Sequence, residues 1–466
     1  MNLFIVAALA AGALLSSFVF FIGNGGDEYL VIALSFLIVL PAALAAGHRD
    51  VKDVFSPLKI YTYILIISSP LFSVYVFFFA IDWKYGYALF WQEFIDLIPG
   101  IFLIAFATCT MIAGYYAAGT SYFKLGNRTA RANFSKKKLI ILTIITLCIS
   151  IFAGYMFSLD VNYAASLEEN VLARKSVHES TVGISVRGSA LTHWRFLGIS
   201  LPHGMIIVYL TLVWVGKVRA SKYDYVLMGL LFISASFIPF IASSRTPILE
   251  ILVVMVMVRH YLVKKIALSR VLVIGFIIMI VIGSLGELRR NPDQLALSSF
   301  ATSFESVVAS QYFVDLGKTS IIVNRVPDQV DYLYGSSLMS VFLAVIPRQI
   351  WPDKPVVRIG YYVGQNIIQL DNQTGIPPGF IAEIYLNFGY WGIFPVFIVL
   401  GLVLAKLYNT VRREQNYVTT LLYVLSVVTI SLSLLSTDLT YAILQAVFYF
   451  IPIAIFTLMA KSSKIS

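Results

Sequence analysis

The sequence predicts an all-α polytopic membrane protein. Three observations carry this: an apolar composition with little charge, apolar runs of span length repeated along the chain, and basic residues confined to the linkers between them. Of 466 residues 59% are hydrophobic and 12% charged, with 34 Phe, 27 Tyr and a mean hydropathy of +0.84. Soluble domains carry about 25% charged residues. A water-soluble fold could not hide this much apolar surface, whereas lipid can solvate it. The net charge of +10 does not point to nucleic acid, because Lys and Arg are spread over linkers instead of gathered in one patch. The two cysteines, Cys109 and Cys148, each lie inside an apolar run, so neither a disulfide framework nor a Cys-based metal site is supported.

A helix crossing a hydrocarbon core of ~30 Å needs about 20 residues. About twelve runs of that kind lie near 3–23, 29–46, 58–80, 96–117, 139–157, 196–216, 225–242, 247–263, 270–287, 391–408, 418–436 and 440–460. The first has no basic segment before it and reads as a first span, not a cleaved signal peptide. Basic residues set the orientation, since cytoplasmic linkers retain Lys and Arg. The linker 118–138 holds Lys124, Arg128, Arg131, Lys136, Lys137 and Lys138 and no acid. The linkers at Arg49 and Lys52, at 217–222, at 259–270 and at Arg412 and Arg413 are basic too, and all fall on one side if both termini are cytoplasmic.

This topology makes 1–466 a single transmembrane domain with two long periplasmic loops, 158–195 and 288–390. The second contains Gly335 to Pro347 (GSSLMSVFLAVIP), apolar but too short to span, hence an interfacial or re-entrant helix.

Charge within the spans is sparse. Asp96, Glu250 and Lys406 fall near span ends, which weakens an ion-coupled transporter, a class that carries charged groups near the midplane. His203, beside Pro202, lies deeper. A structural hydrogen-bond partner is the plainer reading of it and a proton relay the sharper one; it is also a candidate substrate contact.

The outer face, by contrast, holds arginines where the orientation rule expects few: Arg174, Arg187 and Arg195 in the first loop, Arg245 in a tight turn, and Arg289, Arg290, Arg325, Arg348 and Arg358 in the second loop. For each alone, the plain reading is a side chain reaching lipid headgroups. Arg245, Arg195 and Arg348 are flanked by apolar runs that hold them at the membrane surface, where a guanidinium fork suits phosphate oxygens. Trp351 and Lys354 follow Arg348 closely and join it as candidate substrate contacts. Glu383, in GFIAEIYLN, sits in an apolar setting at a helix start and shares a helical face with Asn387. It is either a carboxylate favoured by the helix dipole or a catalytic group. Asp328 and Asp331, three apart, do not make a metal site, and no metal-binding motif is present.

Three stretches resemble a family. Ser336 to Pro355 (SSLMSVFLAVIPRQIWPDKP), Ile376 to Gly392 (IPPGFIAEIYLNFGYWG) and Ser243 to Ile248 (SSRTPI) are similar to Wzy-type oligosaccharide repeat-unit polymerases, the O-antigen polymerase group; Arg195 to Tyr209 is similar more weakly. The resemblance implies a multi-spanning type C glycosyltransferase acting at the outer face of the inner membrane. It would join repeat units carried on undecaprenyl pyrophosphate, without nucleotide sugar, metal or other cofactor, beside a flippase and a chain-length regulator. On that reading Arg245 and Arg348 would bind the pyrophosphate with Arg195 assisting, and Glu383 would be the base. An O-antigen ligase, using the same donor, stays open, as does a polysaccharide transporter or flippase from another class.

Overall fold

The computed structural model describes residues 2–22, 26–49, 53–79, 94–124, 132–160, 194, 196–241, 246–271, 273–277, 316–344, 351, 359–369 and 376–462. Every named element among them is helical. The first half of the chain supplies α1 (Asn2–Ile22), α2 (Asp27–Leu37), α3 (Leu40–Arg49), α4 (Pro57–Ile66), α5 (Phe72–Phe79), α6 (Ile98–Ala117) and α7 (Lys136–Asp160). There follow α8 (Leu201–Trp214), α9 (Lys222–Ile241), α10 (Thr246–Leu262), α11 (Leu316–Arg325), α12 (Ser336–Ala344) and α13 (Ile359–Tyr362). The last three are α14 (Phe380–Glu414), α15 (Tyr417–Val428) and α16 (Leu439–Met459).

Ten helical segments among the described residues are long and apolar enough to cross a membrane, and they coincide with ten of the twelve predicted runs. The other two runs hold α10, of 17 residues, and a short apolar helix at Leu268–Ile277. Two pairs merge into one crossing each: α2 with α3, and α4 with α5 through a π-helical turn at Ile67–Leu71 that contains Pro70. Proline removes a main-chain donor, and the wider turn absorbs the misfit.

The bundle centres on α6 and α14. Helices in lipid gain little from burying apolar surface against each other, so close packing holds them together. Here two glycines bring the backbones into contact: a Cβ on Gly114 would collide with the Ile398 carbonyl, and one on Gly401 with the Met111 carbonyl. At the rim, α1 leaves Leu14, Leu15, Phe18 and Phe21 exposed, as a helix facing lipid does.

Helix α14 starts at Phe380, ahead of the run at 391–408 and in keeping with the helix start expected at Glu383, and Gly389 (φ 61°) breaks it in two. The first arm is buried from Phe380 to Asn387, whereas Trp391, just past the break, is 90% exposed. The break frees the carbonyls of Leu386 and Asn387, which accept the N–H groups of Leu333 (2.9 Å) and Tyr334 (3.1 Å).

The Lys- and Arg-rich linkers meet at one end of the bundle. Asn409 Nδ2 donates to the Gly119 and Ser121 carbonyls, Lys138 Nζ to the Lys461 carbonyl, and Lys136 pairs with Asp224 at 2.8 Å. At the same end Asp53 accepts from Phe55 N–H (3.0 Å), Tyr261 (2.9 Å) and Tyr408 (3.0 Å), with His260 Nε2 3.3 Å away. Burial opposes ionisation of Asp53, but His260, the Phe55 N–H and the Tyr261 hydroxyl outweigh it and hold its carboxyl below the ordinary value.

Candidate functional site

At the opposite end of α14, the first arm of this helix, α12 and the start of α16 converge on Glu383. The side chain is fully buried. Its Oε1 accepts the Ser337 hydroxyl (3.1 Å) and its Oε2 the N–H of Leu439 (2.8 Å). Asn387, one turn on, donates from Nδ2 to Ser337 Oγ (2.7 Å) and to the Glu383 carbonyl (2.7 Å). Its Oδ1 accepts the Gly335 N–H (2.9 Å). The expected shared face of Glu383 and Asn387 is therefore the face that binds α12.

A buried carboxylate is costly unless it is bonded. Here two dipoles add to the bonds. Glu383 sits in the first turn of its own helix and also on the free first amide of α16. The chain enters the arm through Gly379, whose φ of 80° suits glycine. Its N–H donates to the Thr437 carbonyl (2.7 Å), and a Cβ there would stand 2.9 Å from the Leu435 carbonyl. Lys318 of α11, itself buried, donates to the Pro377 carbonyl (2.8 Å) just upstream.

Two of the family-like stretches, the one that begins at Ser336 and the one that contains Glu383, thus touch through side-chain hydrogen bonds. Of the third, Ser243 to Ile248, only the last residues are described, at the start of α10; just beyond it on α10, Glu250 is buried and accepts from Gln445 (2.7 Å) and from the Tyr449 hydroxyl, both on α16. Sequence reasoning discounted Glu250 as a span-end acid. The signal available was that it stands one turn inside an apolar run. Of the other predicted site residues, Trp351 is partly exposed, and His203 is buried in α8 with neither ring nitrogen hydrogen-bonded among the described residues. Arg187, Arg195, Arg245, Arg289, Arg290, Arg348 and Lys354 lie outside the described residues. Among the described residues no three His, Cys, Asp or Glu side chains converge as metal ligands.

The family that fits the sequence is O-antigen polysaccharide polymerase Wzy, matched over residues 3–464. The chain belongs to the Wzy family. It is a multi-pass membrane enzyme of O-antigen polymerisation. Comparison with curated proteins and with solved structures gives no match. In this Wzy protein the Glu383 junction is the buried polar centre where two of the stretches resembling its family, those of α12 and of the first arm of α14, come together.

Proposed function

We propose that the protein polymerises oligosaccharide repeat units carried on undecaprenyl pyrophosphate, at the outer face of the bacterial inner membrane. The family match over nearly the whole chain carries this reading. The gathering of the Lys- and Arg-rich linkers at one end supports cytoplasmic termini and a periplasmic Glu383 junction, since basic linkers stay inside. In the proposed reaction the bond between the growing chain's reducing-end sugar and its pyrophosphate breaks. A new glycosidic bond forms to a hydroxyl of the incoming unit, and the lipid pyrophosphate leaves with the electron pair.

Negative charge grows on the leaving group, and donors fixed in advance bind that charge more strongly in the transition state. Arg245 and Arg348 take this role with Arg195 assisting, and no divalent metal takes part; Arg187, Arg289, Arg290, Trp351 and Lys354 contact the glycan and lipid, whereas His203, fully buried in α8, stays inside the bundle. Glu383 accepts the acceptor's proton, a step worth about 10²–10⁴-fold. Ser337 already points a hydroxyl at Oε1, and the acceptor hydroxyl takes over that position when α12 shifts. A flippase delivers the units and a chain-length regulator sets the product.

The test is deletion followed by complementation, read as O-chain length on a lipopolysaccharide gel. The deletion strain should show core carrying one repeat unit, and complementation should restore the ladder. Arg245→Ala and Arg348→Ala should shorten or abolish chains at equal protein level. Their Lys counterparts should rescue only in part, because an ammonium lacks the bidentate fork. Core with no repeat unit in the deletion strain would instead indicate a ligase or a flippase. Full ladders from both Ala variants would remove the two arginines from the mechanism.

A further inference from the structure

We infer that Asp438 is a positioning residue of the polymerisation reaction, setting the Glu383 carboxylate through the first turn of α16. The inference rests on the reading of Glu383 as the base. By sequence, Asp438 belongs to a short turn between the last two spans, where a capping side chain would ordinarily stand in water. It is instead 5% exposed. Its backbone is extended (φ −158°, ψ 166°), and its Oδ1 accepts the Tyr441 N–H at 2.7 Å, an N-cap.

The first amides of a helix have no partner within it. At the start of α16 two of them are divided between two carboxylates: Tyr441 donates to Asp438, and Leu439 donates to Glu383 Oε2. The next hydroxyl, Thr440 Oγ1, lies 2.9 Å from Ser340 Oγ of α12. The same turn grips the start of the Glu383 arm, because the Thr437 carbonyl takes the Gly379 N–H. One short segment, 437–441, therefore fixes where the arm begins, where its carboxylate points and where α12 lies over it.

The cap sets the register of that turn. Without it the Tyr441 amide loses its acceptor, the turn frays, and the Leu439 N–H no longer holds Oε2 in place. Glu383 then loses one of its two anchors while the sugar- and lipid-binding surfaces stay as they were. An ordinary cap, with no link to the reaction, would change only the amount of folded protein.

The experiment uses purified full-length protein and lipid-linked repeat units, measuring kcat and KM for the wild type, Asp438→Ala, Asp438→Ser, Glu383→Gln and the Glu383→Gln/Asp438→Ala pair. Asp438→Ala should lower kcat about tenfold with KM unchanged, and Asp438→Ser, which caps without charge, should recover most of it. In the Glu383→Gln background Asp438→Ala should add less than about twofold, because the two act as one unit. A normal kcat for Asp438→Ala beside a crippled Glu383→Gln overturns the inference and leaves the base reading intact. So does a second tenfold loss in the double variant. Normal turnover by Glu383→Gln removes the base itself, whatever Asp438 does.

Discussion

Helix α16 satisfies two buried carboxylates that belong to other helices. Leu439 N–H serves Glu383, and Gln445 and Tyr449, about 9–15 Å further along at 1.5 Å per residue, serve Glu250. Removing one partner of a buried hydrogen bond costs about 1–3 kcal/mol, because the orphaned group stays dehydrated. Glu250→Ala strands the Tyr449 hydroxyl and the Gln445 amide together. It should lower the melting temperature in detergent clearly, with Glu250→Gln in between because it keeps one acceptor oxygen. An unchanged melting curve for the Ala variant would mean that the network contributes nothing to stability. Of the two acids, Glu383 was legible in the sequence from its uncommon Pro-Gly-Phe setting. Glu250 was not, since its partners lie 195 and 199 residues later and only the packed bundle brings them near.

The elements divide along the same line. Hydropathy reveals each long helix because every crossing needs one apolar run, and it is silent on how the runs pack. Hydropathy places the span of α14 at 391–408 and the helix start expected at Glu383 marks the arm Phe380–Asn387, but neither shows that Gly389 breaks the helix between them. The contact between α6 and α14 is likewise invisible in either helix alone. Gly114 and Gly401 stand out only when each is seen against the other helix's carbonyls. Even one added methyl at Gly401 must push the Met111 backbone aside, and overpacking of this kind typically costs about 1–3 kcal/mol. Gly401→Ala should therefore reduce the yield of monodisperse protein on size-exclusion chromatography. Gly229→Ala on α9, where the new Cβ meets open space, should leave it unchanged or improved. Equal behaviour of the two variants would argue against backbone contact as the bond between α6 and α14.

At the scale of the whole molecule, the bundle has two chemically distinct ends. One gathers the basic linkers around Asp53, and the other gathers the starts of α12, α14 and α16 around Glu383. The proposed orientation puts the first in the cytoplasm. An alkaline-phosphatase fusion at Lys137 should be silent and a green-fluorescent fusion there bright; a strong phosphatase signal would invert the molecule and place Glu383 on the wrong side for outer-leaflet substrates. In the proposed reaction the donor is a sugar on a lipid pyrophosphate, with no nucleotide sugar and no divalent metal. The most direct measurement supplies purified protein in lipid with undecaprenyl-pyrophosphate-linked repeat units as sole substrate, in excess EDTA, and follows both glycan length and released undecaprenyl pyrophosphate. Lengthening glycans, with one lipid pyrophosphate released per new bond, are the expected result. Chains that grow only after a nucleotide sugar or Mg²⁺ is added would contradict it.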